Sequence, residues 1–290
     1  MRTVDTTSIS SAVKGTFKCK DDRTAFLLTK LVDAVHDYAR DVKLTHAEWR
    51  EMISFLTRAG ENTDKERNEF VLLSDVLGLS SLVDMINSPE GATESSVLGP
   101  FHILGAPELP VGGDLIGDNQ GERTVVYGEV KGPDGQPIEG ARLEIWQTAG
   151  NGLYSNQDDK QSEFNLRCCQ VTGADGRYGF STVRPAPYTV PSDGPVGDLL
   201  SATGRHPWRP SHLHFIVTAD GYRSLVTELF PEDDPYLDED AVFGVRQSLI
   251  LRYRKLDDTS ELPLTFEAAE KLEPSFYSVN FDFTLVREVA

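Results

Sequence analysis

The stretch Gly204–Phe215, GRHPWRPSHLHF, sets His212 and His214 one residue apart with Arg209 just upstream. On a β-strand, residues i and i+2 project from the same face, so both imidazoles would point the same way. Such a pair can be two ligands of one metal ion; the plainer alternative is that one packs and the other bonds a backbone carbonyl. The chain has 6 histidines: His36, His46, His102, His206, His212 and His214. That supply is too small for a copper–zinc site, and no ligand histidine follows the pair as a barrel-type zinc hydrolase would need. His36, His46 and His206 read as structural. There is no Gly-x-Ser-x-Gly elbow, no Gly-x-x-x-x-Gly-Lys phosphate cradle and no dinucleotide fingerprint. Two tyrosines, however, sit in unusual loops. Tyr154 lies in the glycine-rich TAGNGLYSNQ, and Tyr188 lies between prolines in RPAPYTVPSDGP. Either alone reads as a surface residue. Together with the histidines they offer phenolate and imidazole donors, a set suited to ferric iron, while thiolates are scarce.

The elements that would position these groups follow two patterns. From about residue 23 to 87 the period is helical: Phe26, Leu27, Leu31, Val35 and Tyr38 form one stripe, Thr45 and Glu48 make a capping box, and Gly60 stops the second helix. After Ser88 comes a Gly/Pro-rich connector and then short strands separated by turns such as Pro133-Asp134-Gly135 and Asp175-Gly176. The last, SVNFDFTLV, alternates strictly. The fold class expected is mixed α and β: a helical, dimer-forming segment over residues 1–100, then an antiparallel β-sandwich over 101–290 that carries the site.

Composition narrows the partners. A formal net charge of −18 in 290 residues disfavours nucleic acid and anionic membrane surfaces. The 3 cysteines, an odd number with two adjacent, make neither a disulfide framework nor a C-x-x-C site, which points to a reducing, cytoplasmic setting. No apolar run approaches a membrane span, so no membrane insertion is expected.

LGPFH, NGLYS, PYTVP and GRHPWRPSHLHF, in this order and at these intervals, resemble the intradiol ring-cleaving dioxygenases, and the resemblance extends over nearly the whole chain. It implies non-haem Fe(III) held by Tyr154, Tyr188, His212 and His214, and a homodimer whose helical interface holds phospholipid in some members. The hydroxyquinol-cleaving branch is the most similar. His102 stands where catechol-cleaving members more often have tyrosine, and ATGRHPWRP and YLDEDAVFGV point the same way. The implied reaction is cleavage of benzene-1,2,4-triol by O₂ to 3-hydroxy-cis,cis-muconate (maleylacetate). Catechol or chlorocatechol cleavage is the alternative within the family; a non-catalytic ligand-binding sandwich is the alternative outside it.

The resemblance also implies roles. Tyr188 leaves the metal and takes a substrate proton, and Arg209 stabilises negative charge developing on the ring. Leu72, Asp75, Val97, Gly99, Phe101, Val190, Pro191 and Val242 line the substrate pocket, with Asp75 placed to accept a hydrogen bond from the third hydroxyl. One position departs: Glu228 stands where the family generally carries Gln or His, and it faces either the site or solvent.

Overall fold

The computed structural model describes residues 3–65 and 67–288. By contact the chain forms two compact units, residues 1–61 and 62–290. The first holds helices α1 (Ile9–Lys14), α2 (Asp22–Asp41) and α3 (His46–Glu61). The Asp21 carboxylate accepts the Thr24 N–H at 2.8 Å to start α2. The expected capping box precedes α3: Glu48 accepts the Thr45 N–H at 2.8 Å and the Thr45 hydroxyl accepts the Glu48 N–H at 3.3 Å. Helix α1 was not expected; Asp5, accepting the N–H groups of Thr7 and Ser8 at 2.9 and 2.8 Å, nucleates it without any apolar period.

In the second unit the helical pattern is realised as α4 (Glu69–Val76) and α5 (Leu79–Asn87), separated at Gly78, which takes φ 72°. These helices, expected within the segment 1–100, therefore belong by contact with the strands. Helix α6 (Pro195–Ala202) escaped the sequence reading because Pro and Gly surround it. Pro195 opens it at a position where proline's missing N–H costs nothing, and Glu69 accepts the Val196 N–H at 3.0 Å.

The strands are β1 (Gly113–Asp114), β2 (Arg123–Lys131), β3 (Arg142–Gln147), β4 (Arg167–Val171), β5 (Arg177–Val183), β6 (Tyr188–Thr189), β7 (Trp208–Arg209), β8 (Leu213–Thr218), β9 (Leu225–Pro231), β10 (Ile250–Leu251), β11 (Arg254–Leu256), β12 (Phe276–Asn280) and β13 (Phe283–Thr284). One sheet runs β1-β5-β2-β12-β11 with β13 also on β2, a second runs β10-β9-β8-β3-β4, and β6 pairs only with β7. The expected all-antiparallel arrangement is corrected: β1/β5, β12/β2, β13/β2 and β10/β9 are parallel. The long connection 232–249 returns the chain in the same direction from β9 to β10, which a hairpin cannot do. The final strand, expected unbroken, is interrupted at Phe281-Asp282, where the Asp282 carboxylate accepts the Glu129 N–H at 3.1 Å and the Lys131 Nζ at 2.8 Å. Inward residues of both sheets, including Val126, Phe180 and Val279 from one and Leu143, Ile145 and Phe215 from the other, share one buried core. Each such side chain contributes roughly 1.5–3 kcal/mol by leaving water.

Candidate active site: a buried Tyr–His cluster beside a cavity

Strand register builds the floor of the site. Trp146 on β3 pairs with Arg167 on β4 and with His214 on β8, and His214 pairs with Glu228 on β9. Arg167, Trp146, His214 and Glu228 thus form one row across the sheet. Trp146 lies flat on His214, with ring centroids 4.5 Å apart and 5° between planes. His212 precedes β8, and its Nδ1 donates to the Pro210 carbonyl at 2.7 Å, so its Nε2 presents a lone pair. The loop after β3 brings the Tyr154 Oη to 3.2 Å from His212 Nε2 and 2.9 Å from His214 Nε2, and the two Nε2 atoms are 3.0 Å apart. Donor atoms bound about 2.1 Å from one ion at right angles would be spaced about this far apart. An N/N/O set of this kind suits iron. The residues fit the metal that the sequence implies.

Tyr188 enters from the short β6–β7 ladder, which pairs it with Arg209. Its ring meets Tyr154 edge-on at 5.4 Å and lies 5.6 Å from His212. Its hydroxyl accepts from Arg209 Nη1 at 3.4 Å. Arg209 is fully buried. Glu228 accepts from its Nη1 and Nη2 at 2.7 and 2.8 Å, and Asp240 from its Nε at 3.1 Å. Gly244 makes room for this network: a Cβ there would lie 2.7 Å from Arg209 Nη2 and 2.9 Å from Glu228 Oε2.

Glu228 therefore faces the site and not solvent. Its Oε1 lies 3.3 Å from His212 Nε2 and 3.4 Å from His214 Nδ1, which has no well-aligned hydrogen-bond partner of its own. His212, His214 and Glu228 together form a buried group able to hold a metal ion.

Burial and charge set the protonation states. Burial lowers His212, opposed by Glu228, and carries His214 well below the usual imidazole range, helped by His212 and Arg209; both rings stay neutral, the form that binds metal. Burial raises Tyr154 well above the phenol range, reinforced by Tyr188, and raises Tyr188 against the pull of Arg209. A cation at the site is what would drive these phenols to ionise. Burial weakens Arg209's hold on its proton, but Asp240 and Glu228 more than reverse this. Burial would also raise Glu228, and Arg209 and His212 outweigh it, leaving the carboxylate ionised.

All the residues expected around the substrate line one cavity of about 620 Å³, and Tyr188 and Arg209 belong to its wall. Burial raises the Asp75 carboxyl there, Ser80 and Arg209 opposing it. Asp84, not singled out from the sequence, shares the wall and is raised by burial as well. Three of the other histidines bond side chains outside the cluster: His36 bonds Ser10 at 2.9 Å, His206 bonds Glu239 at 3.1 Å, and His102 bonds Glu144 at 2.7 Å. Sequence reasoning missed Trp146, Arg167 and Asp240. Only the pairing of β4, β3, β8 and β9 could have found the first two.

Known proteins are similar to this chain in sequence and fold. Residues 108–286 match the family model described as "Dioxygenase", and residues 21–94 match "Catechol dioxygenase N terminus". The chain belongs to the intradiol ring-cleavage dioxygenase family. It is 44% identical over 275 residues to the hydroxyquinol 1,2-dioxygenase of Rhizobium sp. (strain MTP-10005), covering 93% of this chain and 91% of that one. It is 49% identical to the 6-chlorohydroxyquinol 1,2-dioxygenase of Cupriavidus pinatubonensis, covering 84% and 90%. The crystal structure of hydroxyquinol 1,2-dioxygenase from Pseudomonas putida DLL-E4 superposes with a TM-score of 0.90 at 42% identity, covering 98% of this chain and 99% of that one. Members of the family are dioxygenases of aromatic diols.

Proposed function

We propose that the chain is a non-haem Fe(III) dioxygenase that cleaves benzene-1,2,4-triol with O₂ between adjacent hydroxyl-bearing carbons, giving 3-hydroxy-cis,cis-muconate. The observation that carries this reading is the meeting of Tyr154 Oη with two imidazole Nε2 atoms, at 2.9–3.2 Å, beside an arginine that lines the cavity. The identities of 44% and 49% to hydroxyquinol-type relatives favour the triol over catechol or chlorocatechol.

Tyr154, Tyr188, His212 and His214 are the residues that would hold the metal. Ferric iron so held supplies the Lewis acidity that binds a diol as its dianion and opens the ring to O₂. The protein's own groups do the rest. Tyr188 Oη, 3.4 Å from Arg209 Nη1, receives a substrate proton, and burial favours that protonated state. Arg209 Nη1, 3.4 Å from Tyr188 Oη and 3.3 Å from His212 Nε2, holds a fixed positive charge beside the reacting oxygens. Asp75 accepts a hydrogen bond from the third hydroxyl, and Leu72, Val97, Phe101, Val190 and Val242 keep water from the ring.

The two sheets around one core read as a β-sandwich catalytic domain over 101–290, with 1–100 as the helical segment. The α2 stripe Phe26, Leu27, Leu31, Val35 and Tyr38, each about half exposed, supports a homodimer, with phospholipid at that interface. The free cysteines, Cys19, Cys168 and Cys169, support a cytoplasmic setting, and among the described residues no helix is long and apolar enough to cross a membrane. The deciding experiment is iron analysis of purified protein with a visible spectrum before and after anaerobic addition of the triol, then rates on the triol, catechol and chlorocatechol. A tyrosinate charge-transfer band that shifts with the triol is expected; colourless, iron-free protein after iron supply would end this reading.

A further inference from the structure

Arg167 opens β4 and is buried, 3% exposed, one strand pair away from the Trp146–His214 stack. Its fork is fully used. Nε donates to Ser155 Oγ at 2.7 Å, Nη2 to Asn156 Oδ1 at 3.0 Å and Nη1 to the Phe101 carbonyl at 2.6 Å. All three acceptors are neutral, and among the described residues no carboxylate pairs with it. What it does face is Tyr154, whose ring centroid lies 5.9 Å from the guanidinium carbon. Its three partners are not arbitrary. Ser155 and Asn156 follow Tyr154 directly, and Phe101 stacks on Tyr154 with centroids 4.6 Å apart while lining the cavity. The turn that delivers Arg167 is unusual too: Leu166 takes φ 54°, a conformation rare for residues with a side chain, and is itself buried in the core. The backbone reverses there so that Leu166 enters the core and Arg167 enters the site. A buried cation without a counter-charge is costly unless an anion joins it. The group that this charge faces is the ring of Tyr154, and the fork is spent on that residue's own loop and on the residue whose ring stacks against it.

We propose that Arg167 is a positioning residue of the ring-cleavage site: its fork locks the Tyr154 loop to the Phe101 wall of the substrate cavity, and its unneutralised charge polarises the Tyr154 ring as the firmly held metal ligand. This rests on the ring-cleavage reading above. Tyr188 is held differently, by one hydrogen bond from Arg209, whose fork also serves Glu228 and Asp240.

The test compares full-length R167M and R167K with the parent protein, iron-loaded, by chelator competition, visible spectrum, KM and kcat on the triol, and thermal melting with and without iron. For R167M we expect iron affinity to fall roughly 10–100-fold, as for other residues that orient a metal ligand, and the tyrosinate band to move to longer wavelength. R167K restores the charge and so the band position, but its point charge cannot hold three oxygens at fixed angles, so KM stays raised. Where R167M does not fold, R167K alone decides, since wild-type KM in R167K overturns the proposal. Folded variants with parental iron affinity and band position, changed only in melting temperature, overturn it as well. A parent protein with neither iron nor colour overturns the ring-cleavage reading and this proposal with it.

Discussion

Two arginines are buried beside the two tyrosines, and their charges are handled in opposite ways. Arg209 (+1) meets Glu228 (−1) and Asp240 (−1), leaving a network of net −1 next to Tyr188. Arg167 (+1) meets only neutral oxygens next to Tyr154. The site is therefore polarised, with its positive end at the Tyr154 loop and its negative end at Tyr188. Burial opposes ionisation of both phenols, most strongly at Tyr154, while Arg209 pulls Tyr188 the other way.

The comparison can be broken most forcefully at Arg209. R209M strands two buried carboxylates, and urea unfolding should register a loss of about 3–5 kcal/mol. A triple variant that makes Glu228 and Asp240 apolar as well should recover most of it, because the stranded charges are what cost. Removing the metal comes next. If iron binds where both tyrosines converge, protein holding it at 100 times its Kd should melt as though about 2.7 kcal/mol more stable than the chelated form; identical melting curves would contradict a structural share for the ion.

At the cavity, Asp75→Ala should cost about 1–3 kcal/mol more in kcat/KM with the triol than with catechol, the penalty of an unpaired hydroxyl. Equal losses would take Asp75 out of the specificity argument. Acid titration sharpens the contrast at its negative end. Arg209 and His212 hold Glu228 below its ordinary value, so its contribution is present above the ordinary carboxylate range and lost as pH falls through the depressed pKa. E228Q should flatten that acid limb of the stability curve. Asp75 has the reverse sign: burial raises it, so stability is lost as pH rises through its raised pKa. Asp75→Asn should then stabilise the protein at neutral pH, by about 1 kcal/mol or less.

What the sequence made legible is what local geometry encodes. His212 and His214 share a face because strand side chains alternate, and the Thr45–Glu48 box marks a helix start wherever it occurs. Glu228 was harder. It sits in β9, where Thr227, Glu228, Leu229, Phe230 and Pro231 are all buried, so alternation gave no sign of which face it takes. The row from Arg167 to Glu228 depends on how segments from distant parts of the chain align, and no single segment carries that register. Arg167 in particular reads as an ordinary charged residue before an apolar strand. The parallel pairings and α6 were missed for related reasons: the first depend on long returns through irregular chain, and the second on a proline that usually announces a turn.

The flat stack of Trp146 on His214 has a consequence for how the protein recovers from metal loss. A heteroaromatic ring pressed against an indole has no room to rotate, so this imidazole keeps its heading whether or not an ion is present. Tyr188, borne on a ladder of two residues, is held by angled ring contacts and one long hydrogen bond, not by a flat stack. Reloading a stripped protein should thus begin at a ready-made seat and end with a swinging latch, with no refolding between.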